Sequence, residues 1–286
     1  MRLLRVGPTG GERPVVLQGD TAYDVSDLVG DYDAEFWSNG GAENLPLAMA
    51  RRRTKLPQVN LDSVRIGPPV PTPGKVICIG LNYADHIRES GADTPSEPVI
   101  FMKAPNTVAG PNDDVLIPPG SDKTDYEIEL AVVVGRTCRY ASDEAAAFQA
   151  IAGYTISNDL SERSYQLERG GQWVKGKSCE TFNPLGPYLA IRDFVSDPQN
   201  LDLTLKVNDE IRQQSNTSEM VFAVAHIVWY LTQFMVLDPG DVINTGTPPG
   251  VALGMSPPRY LNPGDVIEAS IHGLGTQRQI CRQATP

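Results

Sequence analysis

The sequence predicts an α+β protein, β-rich with a mixed sheet, and a small N-terminal α+β domain. Apolar, β-branched runs bounded by turn residues recur along the chain, among them KVICIG, YEIELAVVVG and DVIEASI. Helical segments are interspersed with these runs but do not alternate with them one for one, which disfavours a doubly wound sheet. GPPVPTPG at 67–74 sets four prolines in a short stretch that excludes both helix and central strand.

That stretch divides the reading. Residues 1–66 hold two short strands, LLRV and PVVLQ, and a helical patch at ENLPLAMARRR. Residues 67–74 read as a linker, and 75–286 as the larger domain. Within it, strands are expected at KVICIG, PVIFMK, YEIELAVVVG, YTISND, LTLKVN, DVINTG and DVIEASI. Helices are expected at Asn82 to Ser90, Ser142 to Ala150, Ser161 to Glu168 and through 219–235. The apolar run at 221–237 falls short of a bilayer span and reads as a buried helix capped by Thr217 or Ser218. PGDVI occurs twice, at 239–243 and 263–267, as a turn leading into a strand.

A chain of 286 residues with net charge −11 is expected to fold as a globular protein with a sizeable core, and the charge disfavours nucleic acid and anionic membranes as partners. Its four cysteines stand apart without a C-x-x-C pair, the pattern of reduced thiols in a cytoplasmic protein. The opening MRLLRVGPTGG has no apolar core of signal-peptide length.

GQWVKGKS at 171–178 matches the phosphate-loop pattern letter for letter. That loop must leave a buried strand and enter a helix. Here a charged, helix-like stretch precedes it, and Pro184 and Pro187 follow where the helix should grow. The match is therefore read as fortuitous, and Gly170, Gly171, Lys175, Gly176 and Lys177 require another role.

The richest chemistry lies in DYEIELAVVVG. On a strand, Glu127 and Glu129 project from one face, where two carboxylates beside an apolar run repel each other and lose hydration. A bound cation relieves both costs; a solvated edge strand is the alternative. Asp159, at the end of YTISND, adds a third acid, and three carboxylates suit a hard cation such as magnesium or manganese. Of three histidines, His86 follows Asn82 and Asp85, which can form a capping box, and Glu89 lies one turn on, within reach of its ring. A histidine steadied by a carboxylate is suited to general-base work. His226 reads as a core residue and His272 as a strand end.

GLNYADHIRESG, FMK, DYEIEL, NDLSERSYQ, WVKGKS and TGTPPGV, in this order, resemble the fumarylacetoacetate hydrolase family over residues 67 to about 280. The resemblance implies a β-rich mixed-sheet roll of that family's C-terminal-domain type, a homodimer, and a Mg²⁺ or Mn²⁺ ion. By position it implies Glu127, Glu129 and Asp159 as metal ligands, and His86 with Glu89 as the catalytic pair. Lys177 matches the family's active-site lysine. Arg163, Gln166 and Thr247 match its substrate contacts, with Lys103 a weaker match. The longer C-terminal region that supplies a further glutamate in the eponymous mammalian enzymes has no counterpart here, which speaks against fumarylacetoacetate as substrate.

The run ERSYQLERGGQWVKGKS is most similar to members that hydrolyse 2,4-diketo-3-deoxy-L-fuconate. Similar members isomerise 2-hydroxy-diene-dioates or decarboxylate oxaloacetate. The activity expected is metal-dependent hydrolysis of a C–C bond in a small 2,4-dioxo acid, an acylpyruvate or a 2,4-diketo-3-deoxy sugar acid, to give pyruvate. The isomerase and decarboxylase readings are the alternatives, and a non-catalytic oxo-acid binding module is a remote one.

Overall fold

In a computed structural model, which describes residues 1–52, 56–90 and 93–285, the strand Ile128–Val134 is buried at every position. Its side chains alternate between two cores, as the period of two requires. Ile128, Leu130, Val132 and Val134 face a cluster that includes Ile156, Leu203, Ile267 and Ile227. Ala131 and Val133 face the opposite cluster, built with Leu3, Val16, Phe36 and Met49. Burial on both faces explains why the sequence runs apolar without alternation. Each valine, leucine or isoleucine of the strand contributes about 1.5–3 kcal/mol when taken out of water.

This strand lies inside a mixed 12-stranded sheet. Its antiparallel neighbours are Ile151–Asn158 and Val242–Asn244, and the latter runs parallel to Val76–Gly80. A separate five-stranded sheet contains Asp202–Val207 and Val266–Ile271. The protein is thus α+β with mixed sheets, as expected. The larger sheet runs across the proline-rich segment, because Arg2–Val6 pairs with Asn183–Ile191, so the first 66 residues share a sheet and a core with the larger C-terminal part of the chain.

All seven strands expected after residue 75 form, with ends shifted by a few residues. Both PGDVI segments are turn-then-strand, with Gly240 and Gly264 at φ of 90° and 97°. Most of the helices are shorter than expected. The patch at ENLPLAMARRR is a helix over Gly41–Arg52, and Arg53 lies outside the described residues. Ser142 to Ala150 yields Glu144–Phe148, capped by Asp143. Ser161 to Glu168 splits: Ser161–Glu162 pairs as a short strand with Thr124–Asp125, and the helix is Arg163–Leu167, capped by Glu162.

The apolar run at 221–237 is helical only over Val224–Leu231 and begins after Ala223, with Asn216 instead capping a short 3-10 turn at Thr217–Glu219. The helix ends because the chain must turn back for Leu237 to bridge to Cys138. His226 is not a core residue. Its ring stacks on Phe222 and its Nδ1 lies 2.9 Å from Glu144 Oε1 at the half-exposed face of that helix. His272 follows the strand Val266–Ile271, as expected. Among the described residues, no helix is long and apolar enough to cross a membrane.

Candidate active site and metal centre

Two paired central strands deliver the three acids to one end of the sheet. Glu127 immediately precedes Ile128–Val134, and its backbone N–H donates to Asn158 Oδ1 at 3.0 Å. Asp159 follows Ile151–Asn158, and its N–H continues the ladder to the Glu127 carbonyl at 2.8 Å. Glu129, paired in register with Ser157, receives a hydrogen bond on Oε2 from the Gly246 N–H at 2.7 Å. One carboxylate oxygen from each acid lies within 4.8 Å of the others, and all three side chains are buried. The solvated edge-strand alternative is therefore excluded.

Cations surround this cluster unevenly. Lys177 Nζ donates to Glu127 Oε2 and Asp159 Oδ2, at 2.8 Å each. Arg163 Nη2 donates to Glu127 Oε1 at 2.7 Å while its Nε holds Asp125 Oδ2 at 2.8 Å. Burial opposes ionisation of Glu127, yet Lys177 and Arg163 outweigh it and hold that carboxyl at about 2. For Glu129 burial acts first, the negative Asp159 and Glu127 add to it, and the carboxyl is pushed well above its usual range. Among the described residues Glu129 makes no ion pair.

This donor set fits a hard divalent cation. Four buried acids, counting Asp125, face three buried bases, and the acid left without a base points into the shared carboxylate cluster. An ion there would be held by Glu127, Glu129 and Asp159, whose oxygen donors match magnesium and manganese.

Glu127 and Glu129 form the floor of a cavity of about 450 Å³, while Asp159 is fully buried beside them and does not line it. His86, Glu89, Glu127, Glu129, Arg163, Gln166, Lys177 and Thr247 all line it, so most of the residues singled out in the sequence converge. His86 Nδ1 lies 3.3 Å from Glu89 Oε2, the one-turn contact expected on the helix Ala84–Ser90, and the Gly250 N–H also donates to that oxygen at 3.2 Å. Arg163 Nη1 donates to Gln166 Oε1 at 2.9 Å. Thr247 Oγ1 accepts from Gln213 Nε2 at 2.8 Å and donates to the Ile128 carbonyl at 3.0 Å, which pins the TGTPPG loop to the strand that carries Glu129.

Two expectations are corrected. Lys103, expected to contact substrate, does not line the cavity. It lies beneath the acids, donating to Asp159 Oδ1 and to the carbonyls of Phe182 and Leu160, so its charge holds Asp159 in place. Asn82 does not cap its helix. Fully buried, it ties two loops together, accepting from the Phe222 N–H and donating to the Thr245 carbonyl at 2.8 Å each. Asp85 correspondingly accepts from Ser215 and from the His86 N–H instead of closing a capping box.

GQWVKGKS is not built as a phosphate loop. Gly170 and Gly171 have φ of 81° and 73°, and a one-turn helix, Val174–Lys177, carries Lys177 to the carboxylates. Gly176 is required there, since a Cβ on it would meet the Glu162 carbonyl oxygen at 2.4 Å.

Comparison with known proteins agrees with this arrangement. Residues 75–281 match the model of the fumarylacetoacetate hydrolase C-terminal family. The chain belongs to that family. A Burkholderia multivorans protein, named only as an inferred hydrolase, is 49% identical over 286 residues, covering 99% of this chain and 100% of its own. Among solved structures, fumarylacetoacetate hydrolase of Exiguobacterium antarcticum superposes with a TM-score of 0.85 at 34% identity, covering 99% of this chain and all of its own. Maleylpyruvate hydrolase of Sphingobium sp. SYK-6, solved with manganese(II) and pyruvate, gives 0.82 at 30%, with both chains fully covered. The 2-hydroxyhepta-2,4-diene-1,7-dioate isomerase of Mycobacterium marinum gives 0.77 at 30%, again with both chains fully covered. Members of the family with this fold thus include both hydrolases and isomerases.

Residues beyond those singled out in the sequence also build the site of this family member. Gly246 supplies the N–H to Glu129, and its φ of 103° is the trace of that role in TGTPPG. Asp125 anchors Arg163 and accepts the backbone N–H groups of Ala252 and Leu253. Phe101 and Trp173, edge to face at 5.2 Å, form part of the cavity wall. Nothing in the sequence marks an aromatic residue as wall or core, because only strand order decides it.

Proposed function

We propose that this chain is a divalent-metal-dependent hydrolase that cleaves a C–C bond in a small 2,4-dioxo acid and releases pyruvate. The observation that carries this reading is the His86–Glu89 pair, 3.3 Å apart, on the wall of the same cavity that Glu127 and Glu129 of the carboxylate cluster line. A Mg²⁺ or Mn²⁺ ion held by Glu127, Glu129 and Asp159 would supply Lewis acidity and a seat for the 2-oxo acid head.

The chain's own residues account for the rest. Glu89 orients the imidazole of His86, which takes a proton from water. The water oxygen adds to the distal carbonyl carbon. The bond from that carbon to the methylene then breaks, its electron pair passes to the pyruvate enolate, and a proton delivered to the methylene carbon completes pyruvate while the acyl fragment leaves as a carboxylic acid. Lys177 and Arg163 provide positive charge beside the head as it becomes more anionic.

A second reading, isomerisation of a 2-hydroxy-diene-dioate, is supported by the likeness to the Mycobacterium marinum isomerase. It moves a proton without adding water, and so leaves the His86–Glu89 pair with less to do; the same holds for decarboxylation. The discriminating experiment offers acylpyruvates, 2,4-diketo-3-deoxy sugar acids, diene-dioates and oxaloacetate with Mg²⁺ or Mn²⁺. Pyruvate plus a carboxylic acid from a 2,4-dioxo acid is the expected result, and isomer or carbon dioxide alone would overturn the hydrolase reading.

We also propose a cytoplasmic homodimer acting on this small acid, with neither nucleic acid nor membrane as partner; the net charge of −11 supports the last two points.

A further inference from the structure

The cavity is larger than a three-carbon oxo-acid head needs, and the walls beyond the acids are greasy. Ile79, Phe101, Leu167, Trp173, Val251 and Leu253 line them, and Leu167 and Leu253 keep 46% and 42% of their surface exposed. Trp173 is tightly seated, because a Cβ on Gly80 would come within 2.9 Å of its ring. The Lys177 N–H donates to the Trp173 carbonyl at 3.1 Å, so one helical turn carries both the wall and the cation beside the head. Phe101 joins the two, with its ring centre 5.1 Å from Lys177 Nζ.

The lining bases are already engaged. Besides His86, the bases among the described lining residues are Arg163 and Lys177, and both are bonded to buried acids at the floor. A second carboxylate on the substrate's tail would lose its hydration against apolar walls with no base to pair with, and a polyhydroxylated tail would leave hydroxyls unpaired there.

We infer that the cavity selects a 2,4-dioxo acid with an uncharged, apolar tail, seated on a wall formed by Trp173 and Phe101. This rests on the oxo-acid reading above and narrows it to acylpyruvates, away from dioates and sugar acids.

The test uses a series of 2,4-dioxo acids with one head and varied tails: methyl, butyl, phenyl, a carboxylate-ended chain as long as butyl, and a trihydroxylated chain. Binding is followed by calorimetry with Mn²⁺ present, and kcat/KM by pyruvate release. The butyl and phenyl acids are expected to exceed the carboxylate-ended acid by roughly 100-fold or more in both readouts. Trp173→Ala should cut the butyl-to-methyl ratio by about 10-fold or more, chiefly through KM, and Trp173→Phe should restore most of it. Equal or better binding of the carboxylate-ended or hydroxylated acid, or an unchanged ratio in Trp173→Ala, overturns the inference. Apolar preference in binding without pyruvate release would leave the tail selection standing and remove the hydrolase reading, and no binding by any member would remove both.

Discussion

The Gly246 N–H meets Glu129 Oε2 at 2.7 Å, and that hydrogen bond stands in for the base that Glu129 lacks, whereas Glu127 and Asp159 share Lys177. The two glutamates should therefore respond differently to the same chemical change. Glu129→Gln removes charge but no ion pair, so the ion-free protein should keep or raise its thermal midpoint. Glu127→Gln breaks contacts to Lys177 and Arg163 and should destabilise by on the order of 3 kcal/mol. Calorimetric titration should show both variants losing more Mn²⁺ affinity than the roughly 10- to 100-fold that loss of an outer-sphere partner costs. Unchanged affinity in Glu129→Gln would remove that residue from the ligand set.

Ion binding should also be visible as stability. At about 100 times its dissociation constant an ion that binds only the folded chain adds about 2.7 kcal/mol. A rise in thermal midpoint with Mn²⁺ or Mg²⁺ that a chelator reverses, and that is absent in Glu129→Gln, is the expected outcome. No rise with either ion would count against the carboxylate cluster as a metal centre.

ATP should not bind. Lys177 is already committed to two carboxylates, and the strand and long helix that a phosphate loop needs are missing around GQWVKGKS. Equilibrium dialysis against ATP and Mg²⁺ should show no saturable site; a micromolar dissociation constant would refute this.

Gly176 offers a purely steric test. Its absent Cβ lets the turn carrying Lys177 lie within contact of the Glu162 carbonyl and Gln166. Gly176→Ala should cost about 1–3 kcal/mol in chemical denaturation, as overpacking does, and should lower kcat by displacing Lys177. Wild-type values for both would show that the turn has room to shift.

Local spacing in the sequence makes much of the site legible. The i, i+2 spacing of Glu127 and Glu129 puts them on one face, the i, i+3 spacing of His86 and Glu89 puts them one turn apart, and Asp159 ends a strand as its sequence suggests. Long-range contacts are not legible in the same way. Lys103 closes a strand in the expected place, but only the pairing of Val99–Lys103 with Val76–Gly80 decides that it lies under the acids and not above them. Asn82 resembles a cap because its true partners, Phe222 and Thr245, are more than a hundred residues away. His226 sits in an apolar run whose composition cannot tell an inward from an outward helix face, and Glu144, its partner, belongs to another helix.

The hydrolase reading stands or falls on His86. If its imidazole activates water, His86→Ala should lose about 10²- to 10⁴-fold in acylpyruvate cleavage, and Glu89→Gln should lose less by loosening the ring. Any oxaloacetate decarboxylation, which needs no water nucleophile, should fall much less. The measurement is kcat for both substrates in the wild type and the two variants at a single pH. A large loss confined to acylpyruvate cleavage is the predicted result; equal losses in both reactions, or none in either, would contradict His86 as the base.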